Sequence, residues 1–401
     1  MTKRMKMNAV LLGALGLCLL FVSTPWMISC GMEGDIIGGT TAWPLSGTKW
    51  WNKVDLDQET DGAQPFIFLS GEGEEFLEPS FLKAYGSFWV FFERREYEID
   101  ENGKRTPVSS EILMGRSSDA FTWELFNDGR PVLEAGLAWE DGFVGAPTVL
   151  ATEGGFTMWY AGGIGEGIGV AMSDNATDWT KVSSEPVVVG DQHWEGGHVG
   201  APSVVYHNHL FRMYYSGGLT DQTPFAQFAG YLIGYADSSD GMSWIKRDTE
   251  RNSSAAGEDV NFIFAPSQEW EGINTEEGIT GAVASPGILI THPADRDVVL
   301  MYYSGNFAGD PAAHNMSVGI AGSYDYNDFV KGDYETNPAL NEKFVLALDG
   351  IAKYLAYSEY TPSVIQLEWN QYIMLYAQSD PLSELTGGLQ GIALATCHMF
   401  D

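Results

Sequence analysis

The chain has 401 residues, of which 44% are apolar, and a formal net charge of −33. This length and apolar content allow one large domain or two ordinary domains with a full hydrophobic core. The strong negative charge argues against nucleic acid or an anionic bilayer surface as the partner and favours solubility.

The first 29 residues predict an export signal rather than part of the fold. Basic residues at positions 3, 4 and 6 precede an apolar run from about 9 to 22, which is short for a transmembrane helix. The sequence Met-Ile-Ser-Cys-Gly that follows resembles the lipidation site of bacterial lipoproteins. The resemblance implies removal of residues 1–29, lipidation of Cys30 and export to the outer membrane or cell surface. The alternative is an ordinary secretory leader.

A short Gly- and Thr-containing tether, residues 30–47, follows the signal. Membrane contact is expected only through the lipid at Cys30. Cys397 would be the only thiol left in the body, so no intrachain disulfide is expected there. Residues 48–401 then predict a single β-rich domain, because short Val-, Ile- and aromatic-rich runs alternate with Gly, Asn and Asp.

One unit recurs five times in residues 48–401. A Pro leads an apolar strand, an aromatic strand ends in small residues, a third strand follows, and a fourth begins at an aromatic residue. The leading prolines are Pro79, Pro147, Pro202, Pro286 and Pro362. Such a repeat predicts antiparallel four-stranded blades around an axis.

The fifth unit has no fourth strand, and the segments that begin at Trp51 and Pro65 resemble the missing piece. The N-terminal strand is therefore predicted to complete the last blade and remove an open sheet edge. The fold class is all-β: a closed five-bladed β-propeller.

A turn pattern accompanies the repeat. Ser-x-Asp-Gly-x-x-Trp at 238–244 resembles the Asp-box turn of sialidases and recurs loosely at 118–123 and 173–179. Because it repeats, we interpret it as turn chemistry in which the Asp caps backbone amides.

The repeating unit as a whole, over roughly residues 50–401, resembles the five-bladed glycosidase superfamily of arabinanases, xylosidases, fructosidases and mannoside phosphorylases. The resemblance implies a carbohydrate partner and a site on the face where the residues before the prolines meet. It also implies an Asp before the first Pro and two later acids. The residues at the five positions before Pro are Glu78, Ala146, Ala201, Ser285 and Thr361.

Only one of those positions is acidic, and it holds Glu rather than Asp. Glu78 is the candidate base or nucleophile, with a structural ion pair to Arg94 as its alternative. Glu277 and Glu359 are the candidate acids, since glycoside hydrolysis needs two carboxylates across the bond. Departures from the repeat nominate Arg94 and the following side chains for substrate binding: His198, Tyr360 and Gln378.

Trp-Glu pairs recur before the second, third and fourth units. Recurrence favours a structural role for Glu140 and Glu195, and the alternative is a ring of acids that binds sugar hydroxyls or calcium. No calcium loop or zinc motif appears in the sequence, so no metal or other cofactor is expected.

Two main functions stay open. The first is a glycoside hydrolase-like enzyme on poly- or oligosaccharides, and the second is a non-catalytic glycan-binding or surface-interaction propeller that has lost the acids. A phosphorylase is a variant of the first, with Arg94, Arg95 and His198 as its anion pocket. A monomer is expected.

Overall fold

The computed structural model describes residues 51–53, 66–101, 103–152, 154–218, 232–247, 262–267, 271, 273–274, 279–280, 282–292, 297–306, 316–331, 358–368, 371–379 and 390–398. The predicted signal, Cys30 and the tether lie outside these ranges. No helix within them is long and apolar enough to cross a membrane.

Five antiparallel sheets form the blades. The described chain begins with two short strands, β1 (Asn52–Lys53) and β2 (Phe66–Leu69). Blade 1 contains β3 (Glu74–Ala84), β4 (Ser87–Ile99), β5 (Arg105–Ser117) and β6 (Trp123–Leu125). Blade 2 contains β7 (Val144–Thr152), β8 (Gly155–Gly162), β9 (Gly167–Ser173) and β10 (Thr180–Lys181). Blade 3 contains β11 (Val199–His207), β12 (Leu210–Gly217), β13 (Leu232–Ser238), β14 (Ile245–Lys246) and β15 (Phe262–Phe264).

A two-stranded ribbon, β16 (Ile273–Asn274) and β17 (Ile279–Thr280), precedes blade 4. Blade 4 contains β18 (Val283–Thr291), β19 (Val298–Asn306), β20 (Met316–Ser323) and β21 (Val330–Lys331). Blade 5 contains β22 (Ser358–Glu368), β23 (Gln371–Ser379) and β24 (Gln390–His398). Single 3-10 turns join some strands, at Phe126–Gly129, Ala138–Glu140 and His193–Glu195.

The N-terminal strands close the ring as predicted. Both β1 and β2 pair antiparallel with β24, the last described strand, with Asn52 opposite Thr396. The Trp51 side chain is buried and packs edge-on against Tyr302, with ring centroids 5.7 Å apart. Apolar side chains fill the space between each pair of neighbouring sheets. The predicted five-bladed β-propeller is confirmed.

A β-bulge interrupts the first strand of every blade at the residue before its Pro. The backbone there is left-handed in all five cases, with φ values of 49° at Glu78, 43° at Ala146, 44° at Ala201, 47° at Ser285 and 55° at Thr361. Non-glycine residues rarely adopt this conformation, and a bulge re-aims the side chain that it carries. The fold therefore presents one side chain per blade at the same level of the ring.

Hydroxyl groups just after the prolines tie neighbouring blades together. Each accepts a hydrogen bond from a backbone N–H on the first strand of the next blade: Ser80 from Val149 at 2.9 Å, Thr148 from Val204 at 3.4 Å, Ser203 from Ile288 at 3.1 Å and Ser363 from Phe81 at 2.9 Å. The last of these joins blade 5 to blade 1. Blade 4 has Gly287 at this position because an added Cβ would overlap the carbonyl oxygen of Pro362.

Candidate functional site

Glu78 lies where the bulges of the ring converge. Its Oε1 accepts a hydrogen bond of 2.8 Å from the Ser285 hydroxyl, and its backbone N–H donates to Thr361 Oγ1 at 3.2 Å. First strands contact each other in the order of blades 1, 2, 3, 4, 5 and 1, so blades 1 and 4 are not neighbours. The Glu78 side chain therefore reaches across the centre of the ring. It is only partly buried, whereas Ser285 and Thr361 are buried.

The surroundings of Glu78 favour the neutral acid. Desolvation raises its pKa to about 8; the hydrogen bond from Ser285 lowers the pKa, nearby Glu93 raises it and Arg95 lowers it. At neutral pH the carboxyl group is mostly protonated. A protonated carboxyl donates a proton rather than accepting one, so this environment does not suit the base or nucleophile role that the sequence suggested for Glu78.

Glu93 is the second carboxylate at this place, and it is only 2% exposed. Its Oε1 accepts a hydrogen bond of 2.6 Å from Arg95 Nε, and its Oε2 accepts one of 3.2 Å from the Ala146 N–H. Ser216 and Ser304 hold the corresponding place in blades 3 and 4 and accept the N–H groups of the next bulges, at 2.9 and 2.8 Å. Glu93 thus performs the same backbone task while adding a charge near Glu78.

The Glu93-Arg94-Arg95 departure is visible in the sequence, but the residue selected from it was Arg94. Successive side chains of a strand point to opposite faces, so Glu93 and Arg95 share one face of β4 and Arg94 lies on the other. Arg94 forms an ion pair with Glu111, its cross-strand partner on β5, and donates to the Gly129 carbonyl oxygen at 3.3 Å. Arg94 is therefore committed to blade 1, and the ion pair considered between Glu78 and Arg94 is replaced by Arg94–Glu111.

The other predicted binding residues lie elsewhere or outside the described part. His198 is partly buried, and its backbone N–H donates to the Glu195 carbonyl oxygen at 2.9 Å. Tyr360 is buried in a small apolar cluster with two neighbours, and Gln378 is buried and accepts a hydrogen bond of 3.2 Å from the Tyr376 hydroxyl. Glu277 lies outside the described residues. Glu359 is on β22, and its side chain is outside what the structure describes.

The carboxylates of the Trp-Glu pairs, Glu140, Glu195 and Glu271, are fully buried and form one repeated cluster. Each accepts a tyrosine hydroxyl from the second strand of its own blade, a lysine ammonium from the fourth strand, and a backbone N–H from its own turn. The tyrosine bonds are Tyr160–Glu140 at 2.8 Å, Tyr215–Glu195 at 2.7 Å and Tyr303–Glu271 at 2.8 Å. The lysine bonds are Lys181–Glu140 at 2.6 Å, Lys246–Glu195 at 2.7 Å and Lys331–Glu271 at 2.6 Å.

This geometry supports the structural alternative for Glu140 and Glu195 rather than the ring of acids, because their oxygens face buried partners and no solvent. Desolvation opposes ionisation of Glu140, but Lys181, two backbone N–H groups and Tyr160 outweigh it and lower its pKa. Blade 1 uses an apolar version of the same place: Phe92 replaces the tyrosine, Leu125 replaces the lysine, and Phe68 stacks on Phe92 with centroids 5.4 Å apart.

The Asp-box turns also serve the fold. Asp240 accepts the N–H groups of Met242 and Ser243, both at 2.8 Å, and these bonds lower its pKa to about 2. Asp119, Asn175 and Asp325 cap the equivalent turns. The sequence pattern pointed to Asp174 in blade 2; the capping side chain there is Asn175.

No group of three or more His, Cys, Asp or Glu side chains within the described ranges could hold a metal ion. Carboxyl, hydroxyl and guanidinium groups make up the axial site in this part of the chain. Its unusual member is Glu78, which can donate a proton at neutral pH and still has part of its surface accessible.

No protein-family model and no curated protein matches the chain. Solved structures do match. The complex of BT0996 and RGII is 15% identical, with a TM-score of 0.58 over 88% of this chain and 92% of that one. A thermostable family-43 glycoside hydrolase is 17% identical, with a TM-score of 0.54 over 81% and 90%.

A third structure comes from work on the GH130 family of mannoside phosphorylases, which contains glycoside hydrolases that target β-1,2 mannosidic linkages in Candida mannan. It is 14% identical, with a TM-score of 0.55 over 90% of this chain and 96% of that one. Identities of this size establish a common fold. The chain thus shares the architecture of five-bladed propeller glycoside hydrolases and glycoside phosphorylases over most of its length.

Proposed function

We propose that the protein acts on poly- or oligosaccharides at the centre of the ring, in a glycoside hydrolase-like reaction with Glu78 as the general acid. One observation carries the proposal: a partly accessible carboxyl group with a pKa near 8 lies at the centre of this fold. Such a group holds its proton at the pH where a glycosidic oxygen needs one. Architectural similarity to glycoside hydrolases supports the choice of substrate class.

The reaction also needs a second carboxylate, as base or nucleophile. Both oxygens of Glu93 are engaged, by Arg95 and by the Ala146 N–H, so we assign Glu93 an electrostatic effect on Glu78 rather than an attacking role. We assign the second carboxylate to Glu277 or Glu359, the two loop acids that the sequence nominates. Their roles are thereby exchanged with that of Glu78.

A phosphate-dependent variant is less well supported. It would need cations able to hold phosphate, and Arg94 and Arg95 each hold a carboxylate instead, Glu111 and Glu93. Phosphate would have to displace one of these pairs. We therefore favour water over phosphate as the acceptor of the sugar.

The test is turnover of arabinan, xylan, fructan and mannoside oligosaccharides by the wild-type protein and by Glu78→Gln. Gln keeps the shape and the acceptor oxygen for Ser285 but has no proton to give. We expect the variant to lose about 10²- to 10⁴-fold in kcat, the usual effect of one general acid. Glu96→Gln, on exposed β4, is the matched control and should retain activity. Unchanged turnover in Glu78→Gln would refute the assignment.

A non-catalytic glycan-binding propeller is the second candidate. It is favoured by the protected state of Glu93 and by the alanines, Ala146 and Ala201, at two of the five bulges. In that case the wild-type protein binds an oligosaccharide without turnover. Glu78→Gln should then bind equally well, since a neutral side chain that can donate a hydrogen bond is retained. Glycan-array binding of both proteins, measured beside the turnover panel, separates the two candidates.

We also propose that the protein is exported as a monomeric lipoprotein to the outer membrane or cell surface, anchored through Cys30. The signal-like segment and Met-Ile-Ser-Cys-Gly support this assignment. Expression in a bacterial host with a radiolabelled fatty acid tests it. The wild-type chain should incorporate label, and Cys30→Ser should not. Equal labelling of both proteins would exclude this anchor.

A further inference from the structure

We propose that Ser285 is a positioning residue for Glu78: from across the ring it determines which carboxyl oxygen carries the proton and stabilises the carboxylate left when that proton departs. The inference rests on the proposed function of Glu78 as an acid. It is carried by the 2.8 Å hydrogen bond from the Ser285 hydroxyl to Glu78 Oε1.

Ser285 is itself rigidly held. It is 4% exposed, its backbone lies at the bulge of blade 4, and its N–H donates to Ser216 Oγ at 2.9 Å. The hydroxyl is therefore presented from a fixed backbone. Because it donates to Oε1, the proton of the neutral carboxyl group is carried on Oε2. Oε2 is then the oxygen that delivers the proton.

The other bulge residues do not duplicate this contact. Ala146 and Ala201 have no hydroxyl group, and Thr361 Oγ1 accepts the backbone N–H of Glu78 instead. Thr361 thus fixes the backbone of Glu78, while Ser285 fixes its side chain. The two contacts come from different blades and act on different parts of the same residue.

The chemical step explains why a donor is useful here. The Oε2–H bond breaks as a new O–H bond forms to the glycosidic oxygen, whose bond to the sugar carbon breaks with the electron pair going to oxygen. Water supplies the hydroxyl group to that carbon. Glu78 becomes a carboxylate, and a hydrogen bond from Ser285 is stronger to this charged form than to the neutral acid. The bond therefore strengthens along the reaction, which is the condition for lowering a barrier.

The fold itself indicates that two informative variants are tolerated. Ser285→Ala places alanine at a φ that Ala146 and Ala201 already adopt in blades 2 and 3. Ser285→Thr places threonine at a φ close to that of Thr361 in blade 5. The first removes the hydroxyl group and the second keeps it. Ser304→Ala is the control, since that hydroxyl accepts the Thr361 N–H and does not bond the Glu78 carboxyl group.

The experiment is a pH titration of the Glu78 carboxyl carbon by ¹³C NMR in the protein without substrate, assigned with Glu78→Gln. Ser285→Ala should raise the pKa of Glu78, because the lost hydrogen bond favoured the ionised form, and Ser285→Thr should restore it. Ser304→Ala should leave it in place. An unchanged or lowered pKa in Ser285→Ala, or no recovery with Thr, would overturn the proposal.

Kinetics on a turned-over glycan give a second reading. Ser285→Ala should lower kcat about 10- to 100-fold, the effect of one hydrogen bond to a charged group, and should move the alkaline limb of the pH profile upward. A purely structural role would lower activity without moving that limb. Since the titration needs no substrate, absence of turnover would count against the proposed function and leave the test of Ser285 intact.

Discussion

Lys181→Met should destabilise the protein by about 3–5 kcal/mol, the usual cost of removing one partner from a buried ion pair. Lys181 Nζ donates to Glu140 Oε2 at 2.6 Å and to the Glu134 carbonyl oxygen at 2.7 Å. Glu140 is fully buried, so the variant leaves a carboxylate without its cation and without water. The remaining donors, Tyr160 and two backbone N–H groups, are neutral.

Urea unfolding followed by tryptophan fluorescence measures this change, with Lys104→Met as the control. Lys104 is exposed, so its loss should change the free energy of unfolding by no more than about 0.5 kcal/mol. Adding Glu140→Gln to Lys181→Met removes the stranded charge and should recover roughly 1–2 kcal/mol through the coupling of contacting residues. A loss below about 1 kcal/mol in Lys181→Met, or no recovery in the double variant, would refute the account of the cluster.

Three further predictions concern pH and ring closure. The pKa of Glu78 is raised from 4.5 to about 8, so between these values the folded state binds more protons, and its stability falls as pH rises; urea unfolding of Glu78→Gln should lack this fall. Desolvation opposes ionisation of Asp297, but hydrogen bonds from Tyr326 and two histidines lower its pKa, so its contribution is present above about pH 4 and is lost as pH falls further. Asp297→Asn should remove that acid-dependent part of the unfolding curve. Trp51→Ala should cost about 3–5 kcal/mol in urea unfolding because it empties a buried aromatic site at the ring closure, whereas Tyr85→Ala, 66% exposed, should cost far less.

The fold could be predicted because its signals are local and repeated. A Pro followed by an apolar strand, and an aromatic strand ending in small residues, mark each blade without reference to distant parts of the chain. Even the ring closure has a local signal, since the Trp51 segment resembles fourth strands elsewhere. The left-handed backbone at the residue before Pro had no such signal. Ala and Thr at these positions do not announce a positive φ, and only strand pairing in three dimensions imposes it.

The site was harder because its contacts are long-range. The repeat singled out Glu78, but its partner Ser285 is 207 positions away on a blade that is not its neighbour. The pKa of Glu78 follows from that enclosure and could not be inferred from residue type. Arg94 was assigned to the site for a related reason: alternation along β4 puts it on the face opposite Glu93, and the sequence does not say which face is which. Recurrence did indicate the structural role of Glu140 correctly.

The same bulge that builds the ring explains why a single acid can act there. Each blade contributes one side chain at a positive φ, and the other four are small: two alanines, a serine and a threonine. Small residues leave room for one glutamate to extend across the centre, and their lack of charge leaves it without a directly bonded cation. Burial then dominates its ionisation, which is why the neutral acid is favoured. A second acid at any of these bulges would compete for the same space and repel the first, so the remaining carboxylate of a hydrolytic pair is expected from a loop above the ring.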